Sequence, residues 1–81
     1  MLIMPEITLV EAVAQALNYE MGADENVVAL GEDIGTNGGV FRATVGLQEK
    51  YGNERVIDTP LAESMIAGVS IGMSVQGLRP V

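Results

Sequence analysis

The chain has 81 residues, room for one small domain or a piece of a larger one, and with 48% hydrophobic residues and a mean hydropathy of +0.31 it is no disordered tail. Eleven Asp or Glu against four Lys or Arg give a formal charge of −7, which argues against nucleic acid and anionic membrane as partners. Cysteine and histidine are both absent, which excludes disulfides, thiolate or imidazole metal ligands and the commonest general base.

The first residues, MLIMPEITLVEAV, lack the basic region, apolar core and cleavage site of a secretory signal. No apolar run approaches the roughly 18 uncharged residues of a membrane span, so a cytoplasmic location is expected. Thr8-Leu9-Val10-Glu11 matches a capping box, and Leu9, Val13, Ala16 and Leu17 recur at helical spacing. A first helix is therefore predicted from 9 to about 21, with Gly22 as its stop. Val27-Val28-Ala29-Leu30 is apolar on consecutive residues and reads as a strand buried on both faces, as in a parallel sheet, ended by Gly31. A glycine-rich loop follows over 31–39. The spacing then predicts a second helix over 42–51, stopped by Gly52, and a short strand over 55–57. Thr59 with Pro60 reads as the start of a third helix, proline in its first position, running to near Gly77. Residues 78–81 look like the first residues of a further strand without a partner. Helices alternating with strands give an α/β fold, and the reading is of an N-terminal part of a domain whose remainder lies C-terminal.

Four features bear on chemistry. Gly31, Gly35, Gly38 and Gly39 follow a strand, but their spacing fits neither the dinucleotide nor the Walker pattern. No lysine follows, and Glu32 with Asp33 would repel phosphate, so a plain βα loop is the better reading. That acidic pair lies at the carboxyl end of the buried strand, where open α/β sheets place their sites, although a solvated loop pair would look the same. Gly68 and Gly72, among Ser64, Ala67, Ser70 and Ser74, stand at the spacing that lets two helix backbones approach closely. A glycine inside a helix costs about 0.5–1 kcal/mol relative to alanine. Tight packing on the sheet of its own domain would offset it, and a helix–helix contact, such as one across a subunit interface, is the favoured reading. Finally, Glu63 is the only charged residue of the run AESMIAGVSIGMSV. Helix-dipole stabilisation of a surface acid accounts for many such residues. A buried carboxylate would need a partner.

GED at 31–33, GGVFRAT at 38–44, KYG-x-x-RV at 50–56, DTPLAE at 58–63 and the glycine-rich helix running into GLRPV occur in that order. Together with TLVEAVAQAL, this set resembles the beta subunit of the thiamine-diphosphate-dependent 2-oxo-acid dehydrogenases, in the decarboxylating component of the pyruvate and branched-chain complexes. The resemblance implies that residues 1–81 form the N-terminal part of a pyrimidine-binding, transketolase-like domain, a three-layer α/β/α sandwich on a parallel sheet. It implies an alpha subunit as partner in a heterotetramer, a lipoyl acyltransferase core that takes up the acyl group, and a 2-oxo acid as substrate. Thiamine diphosphate is the implied cofactor, its magnesium held by the alpha subunit, so this chain should carry no metal ligand. The resemblance makes Glu63 the catalytic residue that binds and activates the aminopyrimidine at N1′. Leu61 then lines the aminopyrimidine pocket, and Glu32 belongs to a chain of carboxylates linking paired active sites. Leu61, Ala62 and the apolar helix behind would supply the dehydrated setting that such an acid needs. Pyruvate is the expected substrate. A branched-chain 2-oxo acid or acetoin remains open, as does a catalytically inactive chain offering only a subunit-interaction surface.

Overall fold

The computed structural model describes residues 6–81; segment 1–5, which carries part of the stretch read for signal features, lies outside them. Helix α1 spans Leu9–Ala23, strand β1 Val27–Glu32, helix α2 Leu47–Tyr51, strand β2 Val56–Thr59, helix α3 Glu63–Val75 and strand β3 Arg79–Pro80. The three strands form one parallel sheet in the order β2-β1-β3. The α/β expectation holds.

The capping box is present in both directions. The Glu11 N–H donates to Thr8 Oγ1 at 3.1 Å, and the Thr8 N–H donates to Glu11 Oε1 at 3.3 Å. The helix does not stop at Gly22. It runs to Ala23 and is closed by Asp24, whose N–H donates to the Glu20 carbonyl and whose Oδ1 accepts from the Asn26 N–H. That second bond is an Asx turn, which bends the chain into β1.

Three further expectations are corrected. Helix α2 begins at Leu47 rather than 42, because Arg42 and Gly46 adopt φ of 65° and 79°, a left-handed conformation that cannot continue a right-handed helix. Residues 40–46 instead fold back on the glycine loop, with Thr44 N–H donating to the Gly38 carbonyl and Thr44 Oγ1 to the Ile34 carbonyl at 2.7 Å. Pro60 is not the first residue of α3. Strand β2 stays paired through Thr59, opposite Glu32, so the helix starts three residues after the proline, with Ala62 as its cap. Residues 78–81 do have a partner. Val27 and Val28 of β1 pair with Arg79 and Pro80, and the Val81 N–H donates to the Val28 carbonyl. The turn into β3 is a Schellman motif with Gly77 at φ 98°, closed by Leu78 N–H to Met73 O and Gly77 N–H to Ser74 O.

Met21 and Leu17 of α1, Leu47 and Tyr51 of α2, Ile34, and Val27, Ala29 and Val56 of the sheet pack as one cluster. Side chains alternate along a strand, so Val28 and Leu30, also buried, point to the opposite face. Parallel crossovers are right-handed. From β1 to β2 the chain moves one way along the sheet, and from β2 to β3 it moves back past β1. The two connecting helices therefore lie on opposite faces, α2 with the cluster and α3 on the other side. Helix α3 contacts β3, and its least exposed positions, Ile66, Ser70 and Met73, recur as one stripe.

Candidate functional site

Adjacent parallel strands whose following connections leave to opposite faces open a crevice at their carboxyl ends, the usual ligand position in open α/β sheets. Here those strands are β1 and β2. Glu32 is the last residue of β1 and stands in register with Thr59, the last of β2. Glu63 follows four residues later as the first residue of α3, within reach of its unpaired N-terminal N–H groups and the positive end of its dipole. The topology thus brings Glu32 and Glu63 to the same edge. Neither makes a side-chain hydrogen bond or an ion pair among the described residues, in contrast to Glu11 in the capping box and Asp24, which pairs with Arg79 at 3.5 Å. Glu32 is half-buried and Glu63 exposed, and Asp33, at φ 54°, turns into solvent.

Leu61 also lies at this edge but is 76% exposed. The dehydrated setting expected around Glu63 is not formed by Leu61, Ala62 and α3. No residue of α3 is buried, and Met65, Val69, Ile71 and Val75 are all exposed. An ideal Cβ on Gly68 or Gly72 would meet nothing within 4 Å. The close helix contact expected at these glycines is therefore absent within the described residues. Ser70 Oγ and Ser74 Oγ donate to the carbonyls four residues back.

Several residues that organise the edge escaped the sequence reading. Asp58 accepts from the Gly35 N–H at 2.7 Å and the Thr36 N–H at 3.4 Å. Gln48 accepts from Thr36 Oγ1 and donates through Nε2 to the Val56 carbonyl. Gly35 is buried between them, and a Cβ there would come within 2.5 Å of Gln48 Nε2. The available signal was a glycine in a βα loop that fits no phosphate pattern, which marks close backbone approach. Arg42 Nη1 closes the loop further by donating to the Asn37 carbonyl. A shallow cleft of about 400 Å³ lies beside this loop, lined by Gly35, Thr36, Gly46, Gln48, Glu49 and Asn53. None of Glu32, Leu61 and Glu63 borders it, so the cleft and the acidic edge are separate features. No group of three or more acids among the described residues is arranged to hold a metal ion, and none of the described helices is long and apolar enough to cross a membrane.

The chain is similar to known proteins over nearly its whole length. The chain is 54% identical over 78 residues to the pyruvate dehydrogenase E1 component subunit beta of Bacillus subtilis (strain 168), covering 96% of this chain and 24% of that relative. It is 56% identical over 75 residues to the subunit of the same description from Acholeplasma laidlawii, covering 93% of this chain and 23% of the relative. The corresponding Staphylococcus epidermidis subunit matches at 54% over 78 residues. The chain thus spans about a quarter of the length of the relatives it matches. The transketolase pyrimidine-binding domain family matches residues 5–81, and the chain belongs to that family.

Proposed function

We propose that residues 1–81 form the N-terminal part of the pyrimidine-binding domain of a thiamine-diphosphate-dependent 2-oxo-acid dehydrogenase beta subunit. Pyruvate is the proposed substrate, and lipoyl-lysine of an acyltransferase core the acyl acceptor. The observation that carries this reading is that two carboxylates without partners among the described residues, Glu32 and Glu63, lie at the crevice between the carboxyl ends of β1 and β2. The relatives' description supports the choice of pyruvate.

The residues present fit one half of a cofactor site. A carboxylate in the first turn of a helix, with no partner among the described residues, is suited to meet a ring nitrogen and too sparse a donor set to hold a metal–diphosphate group. Thiamine diphosphate, when bound, supplies the carbanion chemistry by which a 2-oxo acid loses carbon dioxide. Glu63 holds or releases a proton at its carboxyl oxygen, facing the aminopyrimidine. Leu61 would line the pocket for that ring. Glu32 stands next in line as a proton relay toward a second site. Magnesium and the diphosphate fall to an alpha subunit, which also seats on α3 and supplies the enclosure that Glu63 lacks. The open Cβ positions of Gly68 and Gly72 support this docking, because the close approach that these residues permit is unused among the described residues.

In the alpha–beta assembly, Glu63→Gln is expected to lower decarboxylation by about 10²–10⁴-fold, the usual contribution of a positioned acid or base, with assembly intact. Wild-type turnover by that variant would refute the assignment. A second reading, a catalytically inactive chain that only docks a partner, also draws on the unburied α3. Wild-type turnover when this stretch is replaced by its Glu63→Gln form would favour it.

A further inference from the structure

Among the described residues, Asp58 is the one acid whose carboxylate is held by two backbone N–H groups of a distant segment, those of Gly35 and Thr36. We propose that Asp58 is a positioning residue for the Glu32 and Glu63 edge, clamping the loop after β1 onto the end of β2 so that the two acids keep a fixed separation. The inference rests on the cofactor-site reading above and extends it to a residue that reading does not use.

The paired ladder of β1 and β2 ends at Glu32 and Thr59. Beyond it the chains diverge, β1 into a left-handed turn at Asp33 and β2 into Pro60. Without a further tie, Glu32 would sit on a fraying strand end and Glu63 on the helix that follows the other strand. The Asp58 carboxylate starts opposite Gly31 and reaches forward to the loop, where its shorter bond, 2.7 Å, is in the range of a charge-assisted contact. Gln48 backs it by bridging Thr36 to the Val56 carbonyl, so the loop is tied to β2 at both Val56 and Asp58. Gly35 is buried at the contact, and a side chain there would overlap the Asp58 carboxylate and the Gln48 amide. A glycine with no room for a Cβ, facing a satisfied carboxylate, is the mark of a junction built to a set distance. Asp58 need not touch cofactor or substrate for its loss to matter, since a displacement of about 1 Å at a reacting group can cost on the order of 10²-fold in rate.

The test uses the alpha–beta assembly with Asp58→Ala, Asp58→Asn and Gly35→Ala, and reads amide hydrogen exchange in the 33–39 segment beside kcat and KM for the 2-oxo acid. Asp58→Ala is expected to speed exchange at residues 35 and 36 by about tenfold or more, as expected when a local tie is lost. It should lower kcat by about tenfold or more with KM within about threefold, the split expected when reacting groups are misplaced. Asp58→Asn keeps one acceptor oxygen for the Gly35 N–H and should recover part of both. Gly35→Ala should reproduce the loss with the carboxylate intact. Faster exchange with wild-type kcat would overturn the proposal, as would unchanged exchange. If Asp58→Ala does not assemble, Asp58→Asn and Gly35→Ala decide by the same two readouts. Failure of the cofactor-site reading is told apart by Glu63→Gln, which would then turn over normally while the Asp58 variants still open the loop.

Discussion

Arg55 offers the sharpest test of how this part of the domain holds together. Its Nη2 donates to the carbonyls of Met21, Asp24 and Val27 at 2.8, 2.9 and 3.0 Å, and its Nε donates to Val27 at 3.3 Å. The guanidinium also stacks on Tyr51, 5.0 Å from the ring centroid. One side chain therefore closes the carboxyl end of α1, ties it to the start of β1 and links both to α2 and β2. Removing it leaves carbonyls of α1 and the following turn with only water as partner. Hydrogen bonds to a charged group contribute about 1.5–3 kcal/mol each. Because Arg55 is half-buried and shares one nitrogen among three acceptors, two bonds at the low end of that range are counted, or about 3 kcal/mol. The stacked ring adds about 0.5–1 kcal/mol. Arg55→Ala is thus expected to cost about 3–4 kcal/mol. A domain of this size has about 4–12 kcal/mol in all, and the loss corresponds to a fall in Tm on the order of 20 °C. Arg55→Lys keeps the charge and loses the planar fork, so it should recover less than half. Urea unfolding followed by far-ultraviolet circular dichroism measures both variants. A cost below about 1 kcal/mol for alanine would refute the clamp, and full recovery by lysine would show that charge rather than the fork matters.

Leu47→Ala should lower the urea midpoint by an amount equivalent to about 2–5 kcal/mol at unchanged slope, since Leu47 is 1% exposed in the cluster that joins both helices to the sheet on that face; a cost under about 1 kcal/mol would mean that the site collapses around the gap. Gly72→Ala meets no atom within 4 Å and should stabilise the isolated chain by about 0.5–1 kcal/mol through helix propensity, yet weaken its association with an alpha subunit in analytical ultracentrifugation. Equal association of variant and parent would remove α3 as the docking face.

The elements most legible in the sequence were those with local causes. The capping box Thr8–Glu11 set the start of α1, and the unbroken apolar run at 27–30 identified a strand buried on both faces. The register of the third helix was misread at Pro60 because strand pairing, which depends on residues far away, held Thr59 extended against Glu32. The predicted helix over 42–46 failed for a similar reason. Nothing in FRATVG marks Arg42 as left-handed. The turn is imposed by Thr44 and the glycine loop it binds.

At the site, the sequence by itself determined the acids and their family resemblance, because residue identity and motif spacing are properties of the chain alone. It singled out Glu63 as the lone charge of an apolar helix, with Glu32 after a strand. Only the tertiary structure decided that these acids share one edge. Strand order and the opposite-face packing of α2 and α3 are consequences of long-range pairing, and no local spacing encodes them. The structure likewise brought in Asp58, Gln48 and Gly35, whose roles arise from contacts between residues 8–23 positions apart. It also left α3 without a buried residue. An apolar helix face needs a covering, and the described residues do not provide one for α3.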